Sequence, residues 1–419
     1  MSQDMDIGIM PATGLRAGMG YKQFVALVAA LMATNALAID SMLPALGQIG
    51  GALGLAQANE RQWVITAYLL GFGGAQIIYG TLADRYGRKK VLMVALAIYV
   101  IASLAAAFAG DFGLMMAARV IQGIGAAGTR VLAVSVVRDR FAGRQMARVM
   151  SFAFIVFLAV PIFAPSLGQL IMLVAPWRAI FVALAIFGAV VMVWLARGLP
   201  ETLHKQDRRP IQFSEILAAA RLTVTNRISL GYTLAMTLVM GSMFGFINSA
   251  QQIFTEVFHA PRLFTLVFAG IAGSIAVASL VNARLVDRLG TRLLSHTALC
   301  GFVVIAAIHA GVAISGHETL LTFAILQSLM MFCFGLMMGN FGAMSMEPLG
   351  HIAGSAASIQ GFVSTLAAAL IGFGIGQSFD GTTVPLTIGF AICGLAGVLV
   401  VLIAEGGRLF HSQQAALPG

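Results

Sequence analysis

The chain has 419 residues, 59% of them hydrophobic and only 10% charged, with a formal net charge of +9. Soluble domains carry about 25% charged residues, so this composition excludes an ordinary water-soluble globule. A basic excess can point to nucleic acid, but here its distribution along the chain points to membrane topology.

In chain order, apolar runs recur at 22–46, 61–82, 91–110, 114–137, 149–174, 179–198, 229–254, 263–286, 293–315, 320–345, 356–379 and 385–404. Each is long enough to cross about 30 Å of hydrocarbon as a helix. The expectation is an all-α polytopic membrane protein with twelve transmembrane helices. Lys22 and the Ala36-Leu37-Ala38 string imitate a signal peptide, but the run continues past Ala38 and carries Asp40, so it reads as the first span. With the amino terminus placed in the cytoplasm, twenty of the 25 lysines and arginines fall on cytoplasmic segments. Three (Arg61, Arg178, Arg262) fall outside, and Arg119 and Arg130 lie within the membrane. That is the positive-inside pattern, with both termini cytoplasmic, as in a multi-pass protein of a bacterial inner membrane, and no nucleic-acid partner. Cys300, Cys333 and Cys393 lie inside predicted helices and read as small core residues.

The longest polar stretch, 197–227, holds Lys205, Asp207, Arg208, Arg209 and Pro210 between the sixth and seventh runs. It divides the chain into an N-terminal six-helix bundle (1–198), a cytoplasmic linker (199–228) and a C-terminal six-helix bundle (229–419). A weak repeat supports two pseudo-symmetric bundles. Asp84-Arg85-Tyr86-Gly87-Arg88 after the second run returns as Asp287-Arg288-Leu289-Gly290-Thr291-Arg292 after the eighth, 203 residues on. Parallel repeats of this kind mark transporters whose two bundles rock about a central site.

The string Gly80-Thr81-Leu82-Ala83-Asp84-Arg85-Tyr86-Gly87-Arg88-Lys89-Lys90 has a readable physics. Gly80 lets helices approach, Gly87 permits a tight turn, and the charges can pair across the two halves or cap a helix end. The string resembles the signature of the major facilitator superfamily. Arg119-Val120-Ile121-Gln122-Gly123-Ile124-Gly125 resembles the helix 4 motif of its twelve-span drug:proton antiporters. The segment from Pro161 through Pro165 to Gly168 is similar to the antiporter motif of helix 5, departing from it at Ala164 and Gln169. The strings at Asp40–Pro44, Pro176-Trp177-Arg178, Leu199-Pro200-Glu201 and 353–358 most resemble the bicyclomycin and chloramphenicol resistance branch. The resemblance implies the major facilitator fold, alternating access gated by the Gly80, Asp84, Arg85, Gly87, Arg88, Pro161, Pro165 and Gly168 motifs, and proton coupling through the acid of helix 1 and the arginine of helix 4.

Three charges fall well inside predicted spans, away from their ends: Asp40, Arg119 and Arg130. Each costs roughly 2.5–3.5 kcal/mol near the bilayer centre, so each is kept only if paired or facing an aqueous path. From the helix rise, Asp40 sits about 9 Å and Arg119 about 10 Å from the midplane on the same side. The two form either a buried ion pair that fixes helices 1 and 4, or a proton carrier and its tuning cation. Arg130 lies about 7 Å toward the cytoplasm. It snorkels, lines an inward cavity, or pairs with a carboxylate of helix 2 or 11.

The second half offers amides: Asn248, Gln251 and Gln252 at i, i+3, i+4, then Glu256, with Gln327, Asn340, Gln360 and Gln377 further on. These are inter-helix bonds or ligands for substrate. With Gln122 and Arg130, the candidate substrate residues are Asn248, Gln251, Gln252 and Gln360. Phenylalanines around the seventh and eighth spans and methionines on the tenth suit varied lipophilic molecules. No nucleotide loop, H-E-x-x-H or His/Cys ligand cluster appears, so no enzyme, metal or cofactor is expected. The expected function is proton-coupled export of lipophilic or drug-like molecules by a monomer in the lipid bilayer. The alternatives are a proton-coupled transporter of one metabolite, such as an amino acid, sugar or signalling molecule, and a non-transporting sensor.

Overall fold

A computed structural model describes residues 19–208 and 213–410; Arg209, Pro210 and the extreme termini lie outside the described residues. Inside hydrocarbon every backbone N–H and C=O must bond within the chain, which helices achieve segment by segment. The first half holds α1 (Tyr21–Asp40), α2 (Leu46–Ala52), α3 (Trp63–Tyr86), α4 (Arg88–Ala107), α5 (Phe112–Arg140), α6 (Gly143–Val174) and α7 (Arg178–Gly198). A linker helix, α8 (Phe213–Thr225), follows. The second half holds α9 (Arg227–Gln252), α10 (Phe264–Leu289), α11 (Thr291–Ile314), α12 (Leu320–Met346), α13 (Ala353–Gln377) and α14 (Val384–Ala404). Among the described residues, twelve helical spans are long and apolar enough to cross a membrane, one for each predicted run.

Polar residues start several of these helices by taking up otherwise free amides. Asp111 accepts from the amide of Leu114 at 2.9 Å, and Asn226 from that of Ser229 at 3.0 Å. Small residues then let the helices approach. A Cβ on Gly71 would lie 2.0 Å from the Val120 carbonyl, and one on Gly123 2.1 Å from that of Tyr68, so α3 and α5 cross almost backbone to backbone. The glycines of the helix 4 string are therefore packing residues as well as motif residues.

Three features depart from twelve simple rods. The first run is broken: α1 stops at Asp40, a turn and the short 3-10 segment Leu43–Ala45 follow, and α2 resumes at Leu46. Pro44, which has no N–H to continue the ladder, opens the resumed part. The seventh run ends in a π turn, Ile253–Val257. The linker, expected as a polar stretch, carries α8, which packs against α13.

The two halves meet along α3 and α13 and along α6 and α10. Polar bonds between them concentrate at one end. There Gln62 donates to the Gln252 side chain at 2.6 Å and to the Gly376 carbonyl at 3.0 Å. Asn59 donates to the Phe379 carbonyl at 2.9 Å, Gln377 donates to the Asn59 carbonyl at 2.8 Å, and Arg61 pairs with Glu256. Thr265 donates to Gln169 at 2.7 Å on the neighbouring seam. Further along, among the described residues, a single such bond joins the halves, from Gln76 to Thr365 at 3.0 Å.

Candidate functional site

The break in helix 1 places Asp40 at the end of α1, buried and with no hydrogen-bond or ion-pair partner among the described residues. The α6 backbone closes over this break, because a Cβ on Gly168 would lie 1.7 Å from the Ser41 carbonyl. Gly168 of the helix 5 motif thus meets the acid's own turn. Pro165 and Pro161 sit about one and two turns earlier in the same unbroken helix.

Beside the break lies Arg119, fully buried. Its guanidinium donates to the Val64 carbonyl at 2.8 Å, to the Ala38 carbonyl at 3.2 Å and to the Gln122 side chain. It also stands 4.5 Å over the Tyr68 ring. Gln122 passes the network on to Ser103 at 2.7 Å, and Tyr68 donates to Asn35 at 2.9 Å. One cation therefore ties α1, α3, α4 and α5 together. The bond to Ala38, two residues before the acid, puts Arg119 at the level the helix rise predicts. The direct ion pair is not formed, since carbonyls and an amide have taken the arginine's donors. Asp40 and Arg119 are neighbours with separate environments.

Arg130 differs. It projects from the middle of α5 with an exposed side chain and, among the described residues, no hydrogen bond or ion pair. Its guanidinium lies 5.8 Å from the ring centre of Phe72 on α3 and 5.9 Å from that of Phe157 on α6. It neither snorkels to a helix end nor finds a carboxylate of helix 2 or 11.

The predicted amides scatter. Gln252 belongs to the closed end, where it donates to Asn59 at 2.7 Å. Gln251 bonds Thr255 at 3.1 Å and keeps a buried oxygen without a partner. Asn248, one turn earlier, is buried with neither amide atom partnered, and Gln327 on α12 likewise. Gln360 knots α9, α12 and α13 through Ser229 and Ser345, at 3.1 Å to each side chain.

The signature string lies at the other end. Gly87 adopts φ +99° in the turn between α3 and α4, a conformation that suits glycine. Of the two roles open to these charges, pairing across the halves or serving a helix end, Arg88 takes the second at the start of α4, within the first half. Arg88 bonds Asp84 at 2.6 Å and Asp139 at 3.1 Å, and its amide donates to Glu201 at 2.8 Å. The reason is position: Arg88 opens α4, where the end of α5 and the Glu201 turn converge. Arg85 lies over Tyr86, and Gly80 faces Ser358 of α13. The second half repeats the device, with Arg292 bonding Glu405 at 2.9 Å and Glu347 at 3.2 Å. Glu347 and Glu405 were not singled out from the sequence, although Glu201 and Glu405 stand at matching places after the last helix of each half. Also missed were Asn59 and Gln62, polar residues flanking an apolar run, and the buried His309–Glu318 contact of 2.6 Å.

Twelve spans in two packed bundles, bonded together at one end and holding charges inside, define a membrane transporter rather than an enzyme. The chain belongs to the major facilitator superfamily, whose family model matches residues 25–372. It is 28% identical over 356 residues to the uncharacterized MFS-type transporter YdgK of Bacillus subtilis, covering 84% of this chain and 87% of that one. It is 27% identical to the multidrug resistance protein MdtL of Escherichia coli, covering 88% and 92%. It is 26% identical to a bicyclomycin resistance protein homolog of Haemophilus influenzae, covering 62% and 66%. The fold is similar to that of the human organic anion transporter MFSD10, with a TM-score of 0.65 over 91% of this chain and 98% of the other at 18% identity.

Proposed function

We propose that the protein is a proton-coupled exporter of lipophilic or drug-like molecules, working by alternating access as a monomer in a bacterial cytoplasmic membrane with both termini cytoplasmic. The observation that carries this reading is the unpartnered Asp40 at the broken turn of helix 1, beside Arg119 and under Gly168. An isolated charge inside a membrane protein is costly, so an acid without a partner is suited to take up and give back a proton as its surroundings change. Its surroundings belong to a turn rather than a rigid rod, so rocking of α6 against the break changes them. Arg119 holds the turn's carbonyl and keeps positive charge nearby, and Gln122 orients Arg119. Asn59, Arg61, Gln62, Gln252, Glu256 and Gln377 form the outer gate, while Arg130, Asn248 and Gln251 offer polar groups to substrate. The Arg88 cluster braces the inner end of the first bundle. Relatives named for multidrug and bicyclomycin resistance support the substrate class.

Asp40→Asn keeps the side-chain volume and removes the exchangeable proton. Purified variant is expected to bind a neutral compound that the wild type exports, yet to release no protons on binding and to drive no coupled efflux. Normal proton release by this variant sinks the coupling role and moves it elsewhere.

A further inference from the structure

The two arginines of α5 share one helical stripe but not one environment. Arg119, Gly123 and Ala126 on this stripe are buried, whereas Arg130, Val134 and Arg138, continuing it toward the Arg140 end, are exposed. The rings that touch the Arg130 guanidinium belong to Phe72 and Phe157, on two other helices of the same half. Phe72 is buried, so the Arg130 guanidinium reaches in between α3 and α6. On the exporter reading, this exposed part of α5 walls the vestibule that opens away from the bonded end.

Among the described residues, no carboxylate pairs with this cation. An arginine stays charged, with five N–H donors in a planar fork, and all five are idle. Asp40 is level with Arg119, and eleven residues of helix separate Arg119 from Arg130, roughly 16 Å along the axis. Asp84 and Asp139 are held by Arg88, Glu256 by Arg61, and Glu347 and Glu405 by Arg292. Glu318 is held by His309 and Thr383. A cation inside a membrane protein that finds no counter-ion in its own chain is completed by one that enters.

We infer that the vestibule selects amphipathic anions, with one carboxylate or sulfonate taken by the free Arg130 fork and an apolar, preferably aryl, body lying on Phe72 and Phe157. The guanidinium supplies a two-pronged donor for the two oxygens of a carboxylate or for two of a sulfonate's three, and the rings on either side exclude water from that bond. A permanent cation meets repulsion at the same place. This deepens the exporter reading, since it rests on the inner face of the first bundle being the transport path.

The test uses two compounds of one shape, 1-naphthylacetate and its uncharged amide, titrated by calorimetry into the full-length protein in lipid nanodiscs. Wild type is expected to bind the acid about 10- to 100-fold more tightly than the amide, the usual worth of a charge-assisted bond away from bulk water. In Arg130→Gln the ratio collapses toward unity, and a thermal unfolding midpoint like that of the wild type shows that the variant is folded. Arg130→Lys keeps a reduced preference, and Phe157→Leu weakens both compounds together. Equal binding of acid and amide by wild type, binding of neither, or an acid preference that survives Arg130→Gln overturns the inference. Loss of proton release in Asp40→Asn with no anion preference leaves the exporter standing and removes this inference alone. Anion preference with proton release intact in Asp40→Asn does the reverse.

Discussion

Arg119 makes three hydrogen bonds and two ring contacts from a fully buried position, so its cost and its hold on the fold are both large. Its acceptors lie on α1, α3 and α5, and only a planar fork reaches all of them. Lysine keeps the charge but concentrates its donors at one point. Arg119→Lys is therefore expected to lose most of the stability lost by Arg119→Ala, about 2–4 kcal/mol for a buried charged group whose partners are left unsatisfied. Thermal unfolding of the two variants in the same detergent checks this, and a Lys variant as stable as wild type contradicts it. The level shared by Asp40 and Arg119 was legible from helix rise alone. What the arginine bonds was not, because rotation about the helix axis depends on which faces Gly71 and Gly123 bring together, and that is settled by packing.

At the scale of elements, the twelve spans could be read from run length, since hydrocarbon leaves the backbone no alternative to helix. The break within the first run was less visible. Pro44 and the Gly47, Gly50 and Gly51 that follow were its sequence signals, but apolar neighbours masked them. The partner of the break, Gly168, appeared only as a motif letter, because a contact between residues 41 and 168 leaves no trace in either local pattern. Gly168→Ala places a methyl group where the Ser41 carbonyl now lies, so α6 must retreat from the acid's turn. Overpacking of this kind costs about 1–3 kcal/mol, a factor of about 5 to 150 against the closed arrangement. Transport is expected to fall within that range while the amount of protein in the membrane holds. An Ala variant that transports at the wild-type rate removes the contact from the mechanism. Pro165→Ala, which adds no group at this contact, is expected to be milder.

At the scale of the whole molecule, the two halves are bonded at one end and exposed along Arg130, Val134 and Arg138 toward the other, so the state described is closed on the Asn59 side. The bonds that close it are amide to carbonyl and amide to amide, apart from the Arg61–Glu256 pair and the Thr265 hydroxyl on Gln169. Each such neutral bond is worth about 0.5–1.5 kcal/mol net, and the opposite state must replace them with water. A gate built this way can be biased without being destroyed. Asn59→Ala with Gln62→Ala removes most of the donors and is expected to move the resting population toward the outward-open state. The readout is a single cysteine at Val134 in an otherwise cysteine-free protein, labelled by an impermeant maleimide from each face of oriented vesicles. In the unaltered gate the cysteine is expected to react from the cytoplasmic face and to resist reagent from the other. Combined with the two alanines, its cytoplasmic labelling is expected to slow about three- to tenfold, one to two neutral hydrogen bonds' worth of population shift. Substrate affinity in detergent changes less, because neither side chain faces the Arg130 stripe. Unchanged labelling in the double variant means that these bonds do not set the resting state, and rapid labelling of Val134→Cys from the opposite face inverts the topology drawn from the basic residues.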